Sequence, residues 1–233
     1  MYHLQYSSIN TAKSALSMWV TVNSLTLDKF HLLSEFMKGV AKESPVLPRY
    51  QNIWDPGTVL KFLQGWGPAH VLTLKQLSLK LLMLLLLCSG QRLQTIFHFD
   101  LNHLNYTSDG FSFAITRSLK HRKIGTLVTY RSFPSNPQLC VLQHLTQYLH
   151  STAPLRSSSK LFLSYQSPHG PVTQSTLSRW VTNCLNLAGI DTAVFKPHSP
   201  RSASSSGAVR GGGAQIDTVM AAGGWRQAST FTD

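Results

Sequence analysis

Four places along the chain carry residue types suited to handling phosphate. The first is Arg92, in Ser89-Gly90-Gln91-Arg92-Leu93-Gln94-Thr95-Ile96. It follows an apolar stretch and sits where a new helical period starts. The second is Lys120, in the basic run Ser118-Leu119-Lys120-His121-Arg122-Lys123. The third is His198-Ser199-Pro200-Arg201, where Pro200 near the first helical position sets a histidine and an arginine on either side of a helix N-terminus. Such a terminus already attracts anions through its unpaired N–H groups. The fourth is Trp225, in Gly223-Gly224-Trp225, 24 residues after Arg201.

The chemistry that wants these types together is the breaking and rejoining of a phosphodiester without a metal. Its transition state gathers charge on two non-bridging oxygens. A guanidinium answers with two parallel charge-assisted hydrogen bonds and keeps its proton at any ordinary pH. A lysine on a hairpin tip can enter the minor groove and protonate the leaving oxygen. An indole N–H is a neutral single donor for one phosphate oxygen. Taken singly, each residue has a commoner structural role: a solvated arginine at a helix end, a solvated hairpin tip, a capped helix start, a core aromatic. Only their order along the chain gives them joint meaning.

The elements that must position them follow from periodicity. Ala12, Ala15, Leu16 and Trp19 predict a helix over 10–20, and Phe30, Leu33, Phe36, Met37 and Val40 a second over 27–41. Two prolines then break the pattern and mark a linker. Asp55-Pro56 predicts the capped start of a third helix, ended by Gly65-Trp66-Gly67-Pro68. A long helix over 72–88 and a short one after Ser89-Gly90 follow. From Asp100 the period shortens, predicting strands over 103–106, 111–117 and 126–133, with Asp109-Gly110 as the first turn and 121–125 as a basic second one. Helical periods return over 138–150, 173–188 and from Pro200 to the end. The expected class is mainly α with a small three-stranded antiparallel sheet. The expected domains are 1–44, a linker over 45–54, and 55–233.

Composition supports a packed protein with an anionic partner. Hydrophobic residues make up 42% of the 233, enough for a real core. There are 21 Lys and Arg against 9 Asp and Glu, a formal net charge of +12. A polyanion suits that surface, with a generic basic protein or an anionic membrane as the other readings. The apolar run 81–88 is far shorter than the roughly 20 residues of a spanning helix, so it predicts a buried core helix and no membrane segment. Residues 1–20 lack the pattern of a signal peptide. Cys88, Cys140 and Cys184 are far apart and form no CxxC pair, which predicts free thiols in an intracellular setting. His98 and His103 have no third ligand nearby in sequence, so no metal site is expected.

The order Arg92, Lys120, His198 with Arg201, then Trp225 resembles the tyrosine recombinase and integrase family. It is closest to the recombinases of DIRS-type retrotransposons. The resemblance extends over nearly the whole chain. It includes Tyr6-Ser7-Ser8-Ile9-Asn10-Thr11-Ala12-Lys13, Phe36-Met37-Lys38-Gly39-Val40, Pro48-Arg49-Tyr50-Gln51-Asn52-Ile53-Trp54-Asp55, Ile216-Asp217-Thr218-Val219-Met220 and Ser229-Thr230-Phe231. By that resemblance Arg92 and Arg201 clamp the phosphate, His198 assists proton handling, Lys120 is the general acid, and Trp225 takes a position that is histidine in many relatives. Residues 1–44 correspond to a partial helical core-binding domain, and 55–233 to a catalytic domain without its C-terminal end. The implied partner is double-stranded DNA, contacted also by Lys13, Lys38, Arg49, Arg117, His121, Arg122 and Lys123. No cofactor is implied. The family works as oligomers on DNA, and a nuclear location follows if the source is eukaryotic. Strand exchange in the family passes through a phosphotyrosine, and the nucleophilic tyrosine falls about nine or ten residues past the Trp225 position, just beyond Asp233. Two readings therefore stand: a DNA recombinase, not cleavage-competent over these residues, and a non-catalytic DNA-binding remnant of a mobile element.

Overall fold

The computed structural model describes residues 4–22, 25–45, 52–119, 123–211 and 215–223. The chain divides into two compact units, Met1–Gln51 and Asn52–Asp233. The first holds helix α1 (Tyr6–Leu16), a short antiparallel pair of β1 (Thr21–Val22) with β2 (Leu25–Thr26), and helix α2 (His31–Glu43). Helix α1 begins and ends earlier than the apolar spacing predicts, because that spacing marks a face and not an end. Thr11, Ser14 and Ser17 each return a hydroxyl hydrogen bond to the carbonyl four residues back, and the chain turns at Ser17–Trp19. Met37 alone among the described residues of this unit is buried.

The second unit contains helices α3 (Pro56–Gln64), α4 (Leu74–Ser89) and α5 (Leu93–Phe97). Strands β3 (Leu104–Thr107), β4 (Gly110–Ala114) and β5 (Leu127–Arg131) come next, followed by helices α6 (Val141–Thr152), α7 (Gln174–Leu187), α8 (Ser199–Arg210) and α9 (Ile216–Gly223). The expected class, mainly helical with one three-stranded antiparallel sheet, is what forms, in the order β3-β4-β5. Asp55 caps α3 by accepting from the Gly57 N–H at 2.9 Å. Thr73 and Gln76 cap α4 reciprocally, satisfying two otherwise unpaired donors.

Helix α4 is the axis of the unit. Every residue from Leu77 to Leu87 is buried, and it packs on α6, α7, α8 and β5. A helix apolar all round belongs in a core. Its one buried cation, Lys80, donates from Nζ to the Gly67 carbonyl at 2.7 Å, at a turn where Gly67 has φ +88°. Among the described residues no helix is long and apolar enough to cross a membrane.

The sheet is rooted by aromatic stacking, Phe99 on Phe113 at 4.2 Å and Phe111 on Tyr130 at 4.9 Å between ring centroids. Burial alternates along β5, whereas on β4, where Phe111 and Phe113 alternate with Ser112 and Ala114, Ser112 is buried too. The first turn lies at Ser108–Asp109, and Gly110 opens β4. A glycine is needed there because a Cβ would run into the Tyr130 carbonyl. The helix expected from Pro200 to the end divides instead into α8 and α9 after Gly211, where glycines lower helix stability by about 1 kcal/mol each. Residues 161–163 form no strand. Two isolated bridges, Asp100 with Lys160 and Leu163 with Pro171, carry that segment.

His144 on α6 is fully buried, with Nδ1 donating to the Cys140 carbonyl at 2.8 Å and Nε2 without a partner. Burial, with the Lys80 charge adding to it, brings its pKa from 6.5 down to about 4. Between those values the unfolded chain takes up a proton that the folded chain refuses. Stability is therefore full above pH 6.5 and falls as pH drops toward 4, by about 3 kcal/mol. Urea midpoints at pH 7 and pH 5 should separate in the native sequence. The separation should narrow in a His144→Asn variant, whose amide keeps a donor without titrating; His98, held low by burial and by Arg117 and Lys160, retains a part of it.

Candidate phosphate-binding site

The C-terminus of α4 is built to turn. Gly90 adopts φ +57° as its left-handed cap, a conformation that costs little only for glycine. The turn aims the Gly90 carbonyl at α8, where it accepts from Arg201 Nη1 at 2.7 Å. The same nitrogen donates to the Gly223 carbonyl, the last residue of α9, also at 2.7 Å. Arg201 is 7% exposed. Ser204 Oγ adds a bond to the Leu87 carbonyl. A Cβ on Gly90 would lie 3.2 Å from Ser205 Oγ, so the ends of α4 and α8 are in close contact.

Arg92 lies two residues past Gly90, in extended conformation at the N-cap of α5. It is half-buried, and burial lowers its pKa from the ordinary guanidinium value. His198 is exposed at the N-cap of α8, with Pro200 in the first turn. The structure thus brings the backbone of the Gly90–Arg92 turn against the Arg201 side chain, and holds His198 one turn before it. Residues 74–97 and 199–210, which include α4, α5 and α8, contain no Asp or Glu; of the helices that meet here only α9 carries a carboxylate, Asp217 in its first turn.

The other expected residues distribute differently. Lys120, His121, Arg122, Arg49 and Trp225 lie outside the described residues. Arg117 and Lys123, both within the β4–β5 loop, are exposed. The loop is closed at its base, where Ile115 N–H donates to Thr126 O and Gly125 N–H to Ile115 O. Lys13 and Lys38 belong to the first unit. Lys38 pairs with Glu35 at 2.8 Å, an exposed contact worth little. Sequence reasoning passed over the Gly90 and Gly223 carbonyls, which are backbone atoms with no side-chain signature. It also assigned no role to Trp54, whose Nε1 donates to Ser199 Oγ at 3.0 Å. Among the described residues no three metal-ligating side chains gather.

The model of the phage integrase family matches residues 69–232. Among solved structures, the XerH site-specific recombinase bound to its difH substrate, in a pre-cleavage complex, is 13% identical with a TM-score of 0.58; the match covers 98% of this chain and 66% of that one. The Tn1549 transposon integrase in complex with transposon right end DNA is 14% identical with a TM-score of 0.57, covering 99% of this chain and 76% of that one. A lambda integrase dimer bound to a COC' core site is 14% identical with a TM-score of 0.52, covering 98% and 75%. The chain thus spans just under two thirds of the XerH chain. At these identities the likeness is one of fold. No curated protein matches the sequence.

Arg201 makes two hydrogen bonds to buried carbonyls through one nitrogen. Lysine puts a single tetrahedral ammonium in place of the longer planar guanidinium, so the two buried carbonyls would lose a flat NH2 that faces both at once. An Arg201→Lys variant should be less stable by about 2 kcal/mol or more, read as a lower urea midpoint. An unchanged midpoint would mean that the two carbonyls do not depend on this side chain.

Proposed function

This chain belongs to the phage integrase family, and from that premise we propose that it binds double-stranded DNA, with Arg92 and Arg201 gripping one backbone phosphate at the α4–α5 turn. The observation that carries the reading is the Arg201–Gly90 hydrogen bond. It ties the helix bearing His198 and Arg201 to the turn bearing Arg92, although 111 residues separate the bonded pair. In this reading His198 handles a proton at the phosphate, Lys120 serves as general acid from the loop after β4, and Trp225 supplies a neutral donor. Residues 1–44 act as a core-binding domain that grips the duplex with Lys13 and Lys38, and Arg49, Arg117, His121, Arg122 and Lys123 add backbone contacts. Copies assemble on DNA. The motif stretches that resemble DIRS-type recombinases support a mobile-element origin.

A second reading, DNA binding without cleavage by these 233 residues, is favoured by the tyrosines of the second unit. Tyr130 donates its hydroxyl to the Leu85 carbonyl and bonds Ser89. Tyr148 accepts from the Leu163 N–H. Tyr165 stacks on Trp180, and Tyr106 is exposed on the edge strand β3. No described tyrosine stands on α8 or α9.

The first measurement tests the DNA binding that both readings share, and the second tests the chemistry. Affinity for duplex DNA should fall by roughly 10³ or more between 50 and 200 mM salt if about six phosphates are neutralised; an affinity flat across that range would reject DNA binding by charge. These 233 residues, incubated with a nicked suicide duplex and run on a denaturing gel, should give no covalent protein–DNA band, because a guanidinium clamp supplies no nucleophile. A version extended with a relative's tyrosine-bearing tail is the control. A band from the extended form alone supports the site assignment, and a band from the unextended chain means that another residue attacks.

A further inference from the structure

Trp54 stands at the start of the second unit, just before the Asp55 cap of α3. It is 7% exposed, and its indole N–H donates to Ser199 Oγ across 145 residues of sequence. Ser199 is 1% exposed and is the first residue of α8, between His198 and Pro200-Arg201. A second contact follows two residues on. A Cβ placed on Gly207 would come within 2.6 Å of Pro56 Cγ, so α8 meets the α3 start where only glycine fits. Ser199 and Gly207 lie eight positions apart on one helix, roughly 12 Å along its axis. Two contacts at that spacing fix the height of α8 and its rotation. The helix is held from the α4 side by Arg201 on Gly90 and by Ser204 on Leu87.

We propose that Trp54 is a positioning residue for the phosphate site. Its N–H holds Ser199 and thereby sets the first turn of α8, on which His198 and Arg201 depend. The inference rests on the phosphate reading above. A phenylalanine would fill most of the same space but leave Ser199 without its donor, and the hydroxyl at the first helical position would turn to another partner. The helix start would then take up a range of heights, and an anion bridging His198 and Arg201 would meet that range instead of one geometry.

The test uses the full chain with 13C-labelled histidine and inorganic phosphate as probe at low salt. The His198 ring signal is assigned by its loss in His198→Asn. Phosphate should shift that signal and its pH titration in the native chain. Trp54→Phe and Ser199→Ala should each raise the phosphate midpoint about fivefold to tenfold, the size expected for one hydrogen bond. The double variant should be no weaker than either single one, since both remove the same bond. Ser199→Thr, which keeps the hydroxyl, should bind like the native chain. Urea midpoints are recorded in parallel, and Ser199→Ala keeps the indole packing should Trp54→Phe fold poorly. A role in stability alone would lower the urea midpoint and leave the phosphate midpoint and the His198 titration in place. That result, or additive losses in the double variant, overturns the proposal. If the native chain and Arg201→Lys respond to phosphate alike, the phosphate site itself is wrong and the inference falls with it.

Discussion

One nitrogen, Arg201 Nη1, joins three stretches of chain that sequence keeps far apart. It donates to the carbonyl that closes α4 and to the carbonyl that ends α9. Both acceptors belong to glycines at helix ends, where carbonyls lack helical partners. Without the guanidinium these buried oxygens would be costly, and with it they become fixed points. Arginine suits the task because its charge survives burial and one planar NH2 carries two hydrogens, one for each acceptor. The price of that arrangement is that the side chain nearest the proposed chemistry is also structural, so stability and phosphate affinity are coupled at this residue.

Much of this was legible in the sequence because local rules were strong. The unbroken apolar run of 81–87 announced a buried helix, Asp55-Pro56 announced a helix start, and the shortened period from Asp100 announced the strands of the sheet. The mainly helical class with its small sheet followed from those signals. What remained hidden depends on atoms or neighbours that sequence does not mark. The carbonyls of Gly90 and Gly223 have no side-chain identity. Lys80 reads as an interruption of an apolar run, yet its ammonium lies inside the core on the Gly67 carbonyl. Gly110 reads as a turn residue, whereas it is required by the Tyr130 backbone across the ladder. The Trp54–Ser199 bond joins residues on two elements, and neither carries a local signal for the other.

The two units differ in how their burial is organised. The second surrounds α4 with apolar neighbours on every side. In the first, α1 has no buried residue, and Trp19 and Leu32 are 84% and 83% exposed. Apolar burial is the main favourable term in folding, so stability is concentrated in the second unit. The site elements α4, α5 and α8 all belong to it.

The β4–β5 loop illustrates a separation of anchoring from reach. Stacked rings hold the sheet below, and the Ile115–Thr126 and Gly125–Ile115 bonds close the loop at its neck. Above the neck Thr116, Arg117, Ser118, Lys123 and Ile124 are exposed, while Leu119 packs back on the core, so the fold constrains the exposed positions less than the strands beneath. Contacts made by those exposed positions can therefore be altered without unseating the sheet, and two chains can share the same strands while differing in what these positions touch.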